Sequence, residues 1–340
     1  MKKVRLGKTG LMVSRVGFGG IPIQRLGEAD AVAVVRRCLD LGVNFIDTAN
    51  GYTVSEGYIG KAIAGRKREE LIIATKTGAR DRETALRHLA QSLDSLGSDY
   101  IDLWQFHGVS TPEDYERVMS PGGALEAAWE ALAAGQVRHI GVTSHSLDLA
   151  LEMAPSGHFE TIQFPFNFVA CEATERLLPL AQAHDVGFIA MKPLGGGLLD
   201  NARLAIKYLL QFDVLPDPGI EKASEIEEIV ALVEGDLALT ARERVEMERI
   251  RAELGARFCH RCEYCQPCPQ KISISTVMNT RSFWKRFPAD RFASSWIGQA
   301  IEQAKTCLEC GECESRCPYH LPIREMLKEN VAFYERVVGV

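Results

Sequence analysis

The residues of this sequence whose types and spacing best suit chemistry are Asp47, Tyr52, Lys76 and His107. Asp47 and Lys76 each end an apolar, strand-like run. His107 ends a third such run, and Tyr52 follows Asp47 by five residues. If these runs are consecutive strands of one parallel barrel, an acid, a phenol, an amine and an imidazole meet at one rim. The pattern therefore predicts a single site in which the four side chains act together.

The side chains indicate proton transfer to an oxygen atom. A free tyrosine has a pKa near ~10, too high for efficient acid catalysis at neutral pH. A lysine ammonium ~4 Å from Tyr52 contributes roughly 4 kcal/mol at an effective dielectric of ~20, lowering the tyrosine pKa by up to about three before desolvation offsets it. Asp47 would keep Lys76 charged, and His107 could donate a hydrogen bond to a carbonyl oxygen. Together they would protonate the alkoxide that forms when hydride reaches a carbonyl carbon. No nucleophile with an adjacent base is apparent, which argues against acyl transfer.

Length and composition are those of a globular protein. The 340 residues suggest one large and one smaller domain, with 46% hydrophobic and 25% charged residues. The formal net charge of -6 favours neither nucleic acid nor an anionic membrane as a partner. The N-terminus lacks the apolar core of a signal peptide, and no apolar run reaches the ~18 residues of a membrane span. We therefore expect no membrane association and a reducing cytoplasm as the compartment.

Strand-like runs alternate with amphipathic helical patterns. The strand-like runs are 16–19, 44–48, 71–76, 100–107, 139–144, 161–167, 187–193 and, weakly, 212–215. The helical patterns are 28–41, 55–65, 83–96, 123–134, 147–154, 171–185, 202–211 and 223–234. Eight such units are typical of an α/β protein with a (β/α)8 TIM barrel. A doubly wound sheet is the alternative, but no G-x-G-x-x-G follows the first strand.

The pattern changes after the eighth unit. The barrel is predicted over residues 1–236, a linking segment over 237–257, and a C-terminal α-helical iron–sulfur domain over 258–340. The linking segment contains a polar helix at 239–254, with Thr240 as N-cap and Gly255 as the stop. A closing helix at 321–338 is expected to start at Pro322.

Eight of the ten cysteines fall in two runs near the C-terminus. Cysteines spaced by two residues, with a last one before proline, suit [4Fe-4S] clusters, whereas zinc would leave the third cysteine and the Cys-Pro unexplained. In two-cluster ferredoxins the fourth cysteine of each run ligates the other cluster. That rule places Cys259, Cys262, Cys265 and Cys317 on one cluster, and Cys307, Cys310, Cys313 and Cys268 on the other. The first run has a gap of two where the pattern has three, which leaves the place of Cys268 open.

The ordered motifs of the first 234 residues resemble the aldo-keto reductase family. The resembling segments are Arg5-Leu6-Gly7-Lys8-Thr9-Gly10-Leu11 with Val13-Ser14, Gly17-Phe18-Gly19-Gly20, Asn44-Phe45-Ile46-Asp47-Thr48-Ala49, Asp99-Tyr100-Ile101-Asp102-Leu103, and Gly135 with Ile140-Gly141-Val142-Thr143-Ser144. By this resemblance the four residues above match the family's catalytic tetrad, with Tyr52 as general acid. The cysteine region resembles a bacterial two-[4Fe-4S] ferredoxin, and the combination resembles the iron–sulfur branch of the family.

The resemblance also implies NADP or NAD as cofactor. The positions that match nicotinamide contacts are Ser144, His145, Gln163, Asn167 and Met191. Met191 stands where many members stack an aromatic ring. The segment Pro193-Leu194-Gly195-Gly196-Gly197 resembles the pyrophosphate loop, and Lys222 and Glu228 fall in the region of the adenosine 2′ position. Several glutamates surround Lys222, so the choice between NAD and NADP stays open.

Three functions remain in view. The leading one is a nicotinamide-dependent oxidoreductase that interconverts a small-molecule carbonyl and an alcohol and carries two [4Fe-4S] clusters. The clusters move single electrons whereas nicotinamide moves a hydride, so they are either structural or regulatory or use a separate route. A second function is therefore ferredoxin-linked electron transfer, with a ferredoxin-type electron partner. The third is a non-catalytic sensor of cofactor or redox state.

Overall fold

The computed structural model describes residues 1–339. Val340, the last residue of the predicted domain 258–340, lies outside the described residues. Ten strands form a two-stranded hairpin and an eight-stranded sheet. The strands are β1 Lys3–Arg5, β2 Met12–Ser14, β3 Phe18–Gly19, β4 Phe45–Asp47, β5 Ile72–Thr77, β6 Ile101–Phe106, β7 Val137–Thr143, β8 Thr161–Pro165, β9 Gly187–Met191 and β10 Leu215–Asp217.

Residues 1–339 also form sixteen α-helices. Those of the first part are α1 Glu28–Asp40, α2 Ser55–Ile63, α3 Arg82–Leu96, α4 Pro112–Met119, α5 Ala124–Ala133, α6 Leu147–Met153, α7 Leu177–Ala183, α8 Ala202–Leu209 and α9 Ala223–Val233. The later ones are α10 Ala241–Gly255, α11 Ile274–Met278, α12 Thr280–Trp284, α13 Ala289–Ser294, α14 Trp296–Ala304, α15 Glu312–Ser315 and α16 Ile323–Val338. Within the described residues 1–339, none of these helices is both long and apolar enough to cross a membrane.

The strands β3 to β10 are parallel neighbours in chain order, and the sheet closes on itself. Backbone N–H groups of Gly17 and Gly19 donate to the carbonyls of Pro216 and Pro218, both at 2.8 Å. Glycine is required at position 19, because a Cβ there would lie 2.9 Å from the Pro218 oxygen. The predicted (β/α)8 TIM barrel is confirmed, and its carboxyl-end rim holds the predicted site residues.

Two predicted elements differ from the structure. The helix expected at 171–185 is a 3₁₀ turn at Glu172–Thr174 followed by α7, because Pro179 tolerates only the first turn of a helix. The eighth barrel strand, expected at 212–215, is Leu215–Asp217. This shift brings a further carboxylate, that of Asp217, to the rim.

The C-terminal part has its own apolar core, formed by α11, α14 and α16 around Phe292, Ile301 and Leu327. The helix α10 leads into it and begins at Thr240, whose Oγ1 accepts from the Glu243 N–H at 3.2 Å, as the sequence predicts.

Contacts between the two parts gather at the carboxyl end of the barrel. Hydrogen bonds join the segments that follow five of the barrel strands to the C-terminal part. The pairs are Gln24–Arg286, Gly51–Arg291, Asp148–Tyr264, Glu172–Tyr319 and Gly196–Ser282. The C-terminal part therefore covers much of the rim where the predicted site lies.

Candidate active site

The four predicted catalytic side chains lie together at the carboxyl ends of three adjacent strands. Asp47 ends β4, Lys76 lies near the end of β5, and His107 follows β6 directly. Asp47 and Lys76 are only 3% and 2% exposed. The Lys76 ammonium donates to the carboxylate of Asp47 and, at 2.7 Å, to the carbonyl of Thr48. This buried ion pair holds the lysine in one place beneath Tyr52.

Tyr52 and His107 complete the group. Their rings meet edge to face, with centroids 5.7 Å apart and an interplanar angle of 80°. The Nζ atom of Lys76 lies 5.3 Å from the centroid of the Tyr52 ring. The arrangement puts a phenol O–H and an imidazole at one surface, with a fixed cation below them.

Burial has the larger effect on the electrostatics of Tyr52. It raises the pKa of Tyr52, and the opposing effect of the Lys76 charge does not overcome it. The lysine therefore acts to lower this pKa, but the loss of solvation is the larger effect. Burial also opposes the charge of Lys76, yet Asp47 raises the pKa of the lysine. Both groups therefore carry their protons at neutral pH.

His107 is neutral. Burial first, and then the charge of Lys76, lower the pKa of His107 to about 3. The backbone of His107 is fixed by Thr77, whose carbonyl accepts its N–H at 2.8 Å, and by Arg80, which donates to its carbonyl at 3.0 Å. A neutral imidazole in a fixed position can donate one hydrogen bond to a carbonyl oxygen without repelling Lys76.

Asp217 is a site residue that the sequence analysis missed. It ends β10 and is 6% exposed. Burial, followed by the charge of Asp47, raises the pKa of Asp217 far above its ordinary value. Its Oδ1 atom has no hydrogen-bond partner within the described chain. Correct placement of the weak eighth strand would have revealed it, because the rule that found Asp47 and Lys76 applies to every strand end.

The residues matched to nicotinamide contacts lie around the same rim. They differ in how many of their polar atoms are already hydrogen-bonded within the protein. The Gln163 amide nitrogen donates to Asp47 and Asp217, while its buried Oε1 has no partner in the described residues. An orphaned acceptor of this kind fits the N–H of a carboxamide. Ser144 Oγ accepts from the Ser146 N–H at 3.1 Å, and Asn167 Oδ1 accepts from the Val169 N–H at 2.9 Å within its own turn. Met191 is half-buried at the end of β9.

His145 is already engaged. Its Nε2 lies 2.9 Å from the Nζ of Lys192, a residue that directly follows β9. Lys192 is a second group that the sequence analysis missed, although a charged residue at the end of the seventh barrel strand was a readable signal. Burial, and then the charges of Arg261 and Arg286, lower the pKa of Lys192.

The glycine loop after β9 faces the C-terminal part. Gly195 and Gly196 have positive φ values of 58° and 69°, which favour glycine. The carbonyl of Gly196 accepts from Ser282 Oγ at 2.9 Å, and that of Gly197 accepts from Lys285. The N–H groups of Gly195 and Gly197 bond within the loop itself, to Lys192 and Leu194 at 2.9 Å. Pro193 is buried at the base of this loop.

In the loop before α9, most of the glutamates are engaged. Glu225 accepts from the backbone N–H groups of Glu221 and Lys222, at 2.8 and 3.0 Å, and so caps the helix. Glu227 pairs with Arg37 at 2.7 Å. Lys222 and Glu228 are exposed, and neither forms an ion pair in residues 1–339.

The eight clustered cysteines line two hollows. One is lined by Cys259, Cys262, Cys265 and Cys317; the other is lined by Cys265, Cys268, Cys307, Cys310 and Cys313. Arg261, Glu263 and Glu309 have positive φ values of 61°, 63° and 54°, which wrap the loops around these hollows. Such turns present N–H groups inwards, as at many iron–sulfur sites. Each hollow offers at least four thiols among apolar walls, and Cys265 borders both, which fits one [4Fe-4S] cluster in each. Cys38 and Cys171 lie elsewhere.

Comparison with known proteins agrees with this architecture. Residues 15–213 match the model of the aldo/keto reductase family, and residues 258–322 match a 4Fe-4S dicluster domain. The chain belongs to the aldo/keto reductase family. It is therefore an oxidoreductase with a (β/α)8 barrel and a C-terminal dicluster domain. The predicted family and the predicted iron–sulfur domain are both confirmed.

Individual relatives match the barrel. L-galactose dehydrogenase of Arabidopsis thaliana is 33% identical over 212 residues, covering 57% of this chain and 66% of the relative. NADH-specific methylglyoxal reductase of Escherichia coli is 29% identical over 231 residues, covering 58% and 69%. Aldo-keto reductase AKR11C1 from Bacillus halodurans, in its holo form, superimposes with a TM-score of 0.64 at 27% identity, covering 74% of this chain and 96% of that one.

Proposed function

We propose that this protein reduces a small-molecule carbonyl to an alcohol, or runs the reverse reaction, with a nicotinamide cofactor and Tyr52 as general acid. The observation that carries the proposal is the buried Lys76–Asp47 pair under the Tyr52 ring, with His107 at its edge. A bound nicotinamide would supply hydride to the carbonyl carbon. Tyr52 would give its proton to the carbonyl oxygen, so one two-electron hydride and one proton yield the alcohol, and solvent returns the proton to Tyr52.

The side chains around Tyr52 have separate roles in the proposed reaction. The ammonium of Lys76 stabilises the phenolate that forms when the proton leaves, and Asp47 keeps that ammonium charged. His107, neutral at physiological pH, donates a hydrogen bond to the substrate oxygen and orients it. Burial and the charge of Asp47 raise the pKa of Asp217, which disfavours a second negative charge beside Asp47.

NADP is the cofactor that the loop before α9 favours. Lys222 is exposed and free to meet a 2′-phosphate, whereas Glu225 and Glu227 are committed to the helix cap and to Arg37. Ser144, His145, Gln163 and Met191 would face the nicotinamide, and Pro193, Leu194, Gly195 and Gly196 would lie along the pyrophosphate. The nicotinamide itself is supported by the Escherichia coli relative, whose name specifies NADH.

The test is titration of the anaerobic, cluster-loaded protein with NADPH and NADH, followed by addition of a panel of carbonyls. We expect NADPH fluorescence to be quenched on binding and NADPH to be consumed with one carbonyl per turnover. If neither NADPH nor NADH binds, by fluorescence and by calorimetry, the proposal is refuted. We further expect the protein to work in the reducing cytoplasm, where cluster thiolates persist.

A second candidate is ferredoxin-linked electron transfer, and the placement of the hollows favours it. The Cys259 hollow borders the barrel, because Tyr319, which lines it, donates to Glu172 of the barrel at 2.6 Å. Cys310, on the other hollow, is exposed beside Leu308, which is 65% exposed. Electrons from a ferredoxin-type partner could then enter at Cys310 and leave at Cys259. Substrate-dependent bleaching of cluster absorption without nicotinamide would support this candidate.

A further inference from the structure

Two arginines of the C-terminal domain lie over the candidate active site. The guanidinium carbons of Arg261 and Arg286 lie 5.4 and 5.3 Å from the centroid of the Phe283 ring, which is buried. The Nε of Arg286 donates to the Ser282 carbonyl at 3.0 Å, which fixes the side chain. Arg286 is tied to the rim, because its carbonyl accepts from Nε2 of Gln24 at 3.2 Å, and Oε1 of Gln24 accepts from Oγ1 of Thr53, the neighbour of Tyr52, at 2.9 Å. Arg261 shares the Phe283 ring with Arg286, so both arginines stand at the mouth of the barrel rather than on the outer surface.

These guanidinium groups are incompletely satisfied. The Nε of Arg261 and the Nη2 of Arg286 have no exposed surface and no hydrogen-bond partner among residues 1–339. Neither arginine forms an ion pair there, whereas Arg80 at the same rim pairs with Asp114 at 3.0 Å. Lys192 adds a third basic group without a carboxylate partner, with its Nζ 2.9 Å from Nε2 of His145. Desolvated cations of like sign repel each other and are costly unless an anion joins them.

We propose that Arg286, Arg261 and Lys192 form a subsite for an oxyanion beside Tyr52, and that the substrate is an oxo acid whose carboxylate binds there. The proposal rests on the proposed function, because the carbonyl of the oxo acid is the group that Tyr52 and His107 act on. A guanidinium fork matches a carboxylate with two parallel hydrogen bonds. Arg261 and Arg286 come from the C-terminal domain, so that domain completes the substrate site of the barrel.

Two other anions could use the same cations. The pyrophosphate of the dinucleotide is one, since a Cβ placed on Gly196 would lie 3.8 Å from the guanidinium carbon of Arg286. The cluster in the Cys259 hollow is the other, and it concerns Arg261 most, since this residue lies between two of the cysteines. Arg286 is remote from every cysteine in the sequence and is therefore the residue to test.

The experiment measures binding of three probes to anaerobic, cluster-loaded protein by calorimetry: oxamate as an oxo-acid isostere, inorganic pyrophosphate, and NADP⁺. We expect Arg286→Gln to weaken oxamate binding by about tenfold or more, since a charge-assisted hydrogen bond is lost. Arg286→Lys keeps the positive charge but not the two parallel donors of the guanidinium, and it should lose less of the affinity for oxamate. The control is Arg281→Gln on α12, the helix that ends just before Arg286. The exposed side chain of Arg281 lies over the Phe333 ring, so this change should leave all three affinities unchanged.

Cluster absorption must match the wild type in each variant, and Arg286→Lys provides the test if Arg286→Gln does not fold. The proposal is overturned if oxamate does not bind the wild type, or binds the Arg286 variants equally well. Losses confined to pyrophosphate and NADP⁺ would assign the subsite to the dinucleotide and overturn the oxo-acid assignment. Because oxamate binding needs no turnover, a protein that bound oxamate through Arg286 but reduced no carbonyl would contradict the proposed function alone.

Discussion

The carboxyl groups of Asp47 and Asp217 share one donor at the floor of the candidate active site. The Nε2 atom of Gln163 lies 3.4 Å from Oδ2 of Asp47 and 3.3 Å from Oδ2 of Asp217. Asp47 also accepts a hydrogen bond from the ammonium of Lys76, whereas burial and the nearby Asp47 charge raise the pKa of Asp217. Only one of the two neighbouring carboxyl groups is paired with a cation, which makes Asp217 the more easily protonated of the two.

Replacing Asp217 by asparagine should change how the stability of the protein depends on pH. The raised folded-state pKa means that the folded protein binds a proton that the unfolded chain releases, so Asp217 costs stability as pH rises above the ordinary carboxyl range. We expect the thermal stability of Asp217→Asn, relative to wild type, to improve from pH ~5 to pH ~8. The control is Asp213→Asn, at an exposed position near the same strand, which should show no such trend. A pH-independent difference for Asp217→Asn would contradict this assignment.

The Lys76–Asp47 pair should behave as a unit. Asp47→Asn leaves a buried ammonium without its partner and should cost about 3–5 kcal/mol of unfolding free energy. The double variant Asp47→Asn with Lys76→Met removes both charges, so we expect it to be more stable than the sum of the two single losses. Unfolding midpoints of all four proteins measure the coupling. Strictly additive losses would show that the pair is not coupled.

His107 should stay neutral through the physiological range. Its pKa of about 3 lies below that of the unfolded chain, so its contribution to stability is present above pH ~6.5 and is lost as pH falls towards 3. We expect its ring resonances in an NMR titration to be flat between about pH 5 and 8, with His107→Gln used to assign the signal. A midpoint near 6.5 for His107 would be inconsistent with its burial beside Lys76.

The division of cysteines between clusters can be read from paired variants. Cys317→Ala and Cys259→Ala should each lose the same cluster, with identical electron paramagnetic resonance spectra of the cluster that remains. Cys268→Ala should instead resemble Cys307→Ala. Iron content should fall from about eight to about four atoms per chain in each case. Cys38→Ala is the control and should keep both clusters, since Cys38 lies in the barrel core. A Cys317 variant that resembled Cys307→Ala would reverse the proposed sharing.

The sequence predicts those site residues that stand at the end of a clear apolar, strand-like run. Asp47, Lys76 and His107 were found because each ends a strand with a clear apolar run, and barrel geometry then brings strand ends together. Asp217 was missed because its strand is three residues long and includes a proline. The cysteine hollows follow from spacing alone.

Two other features depend on how the chain packs on itself. Arg261 and Arg286 reach the site only because the C-terminal domain docks on the rim, which no local pattern encodes. The pKa of Tyr52 depends on desolvation by the whole fold, so its direction could not be read from a neighbouring lysine.

Tyr52→Phe tests the central claim most directly. The measurement is kcat for NADPH-dependent reduction of whichever carbonyl the wild type accepts, with NADPH binding and cluster absorption recorded on the same samples. Removing the general acid should lower kcat by about 10²–10⁴-fold while the NADPH affinity and the cluster spectrum stay as in wild type. An unchanged kcat in Tyr52→Phe would contradict the account.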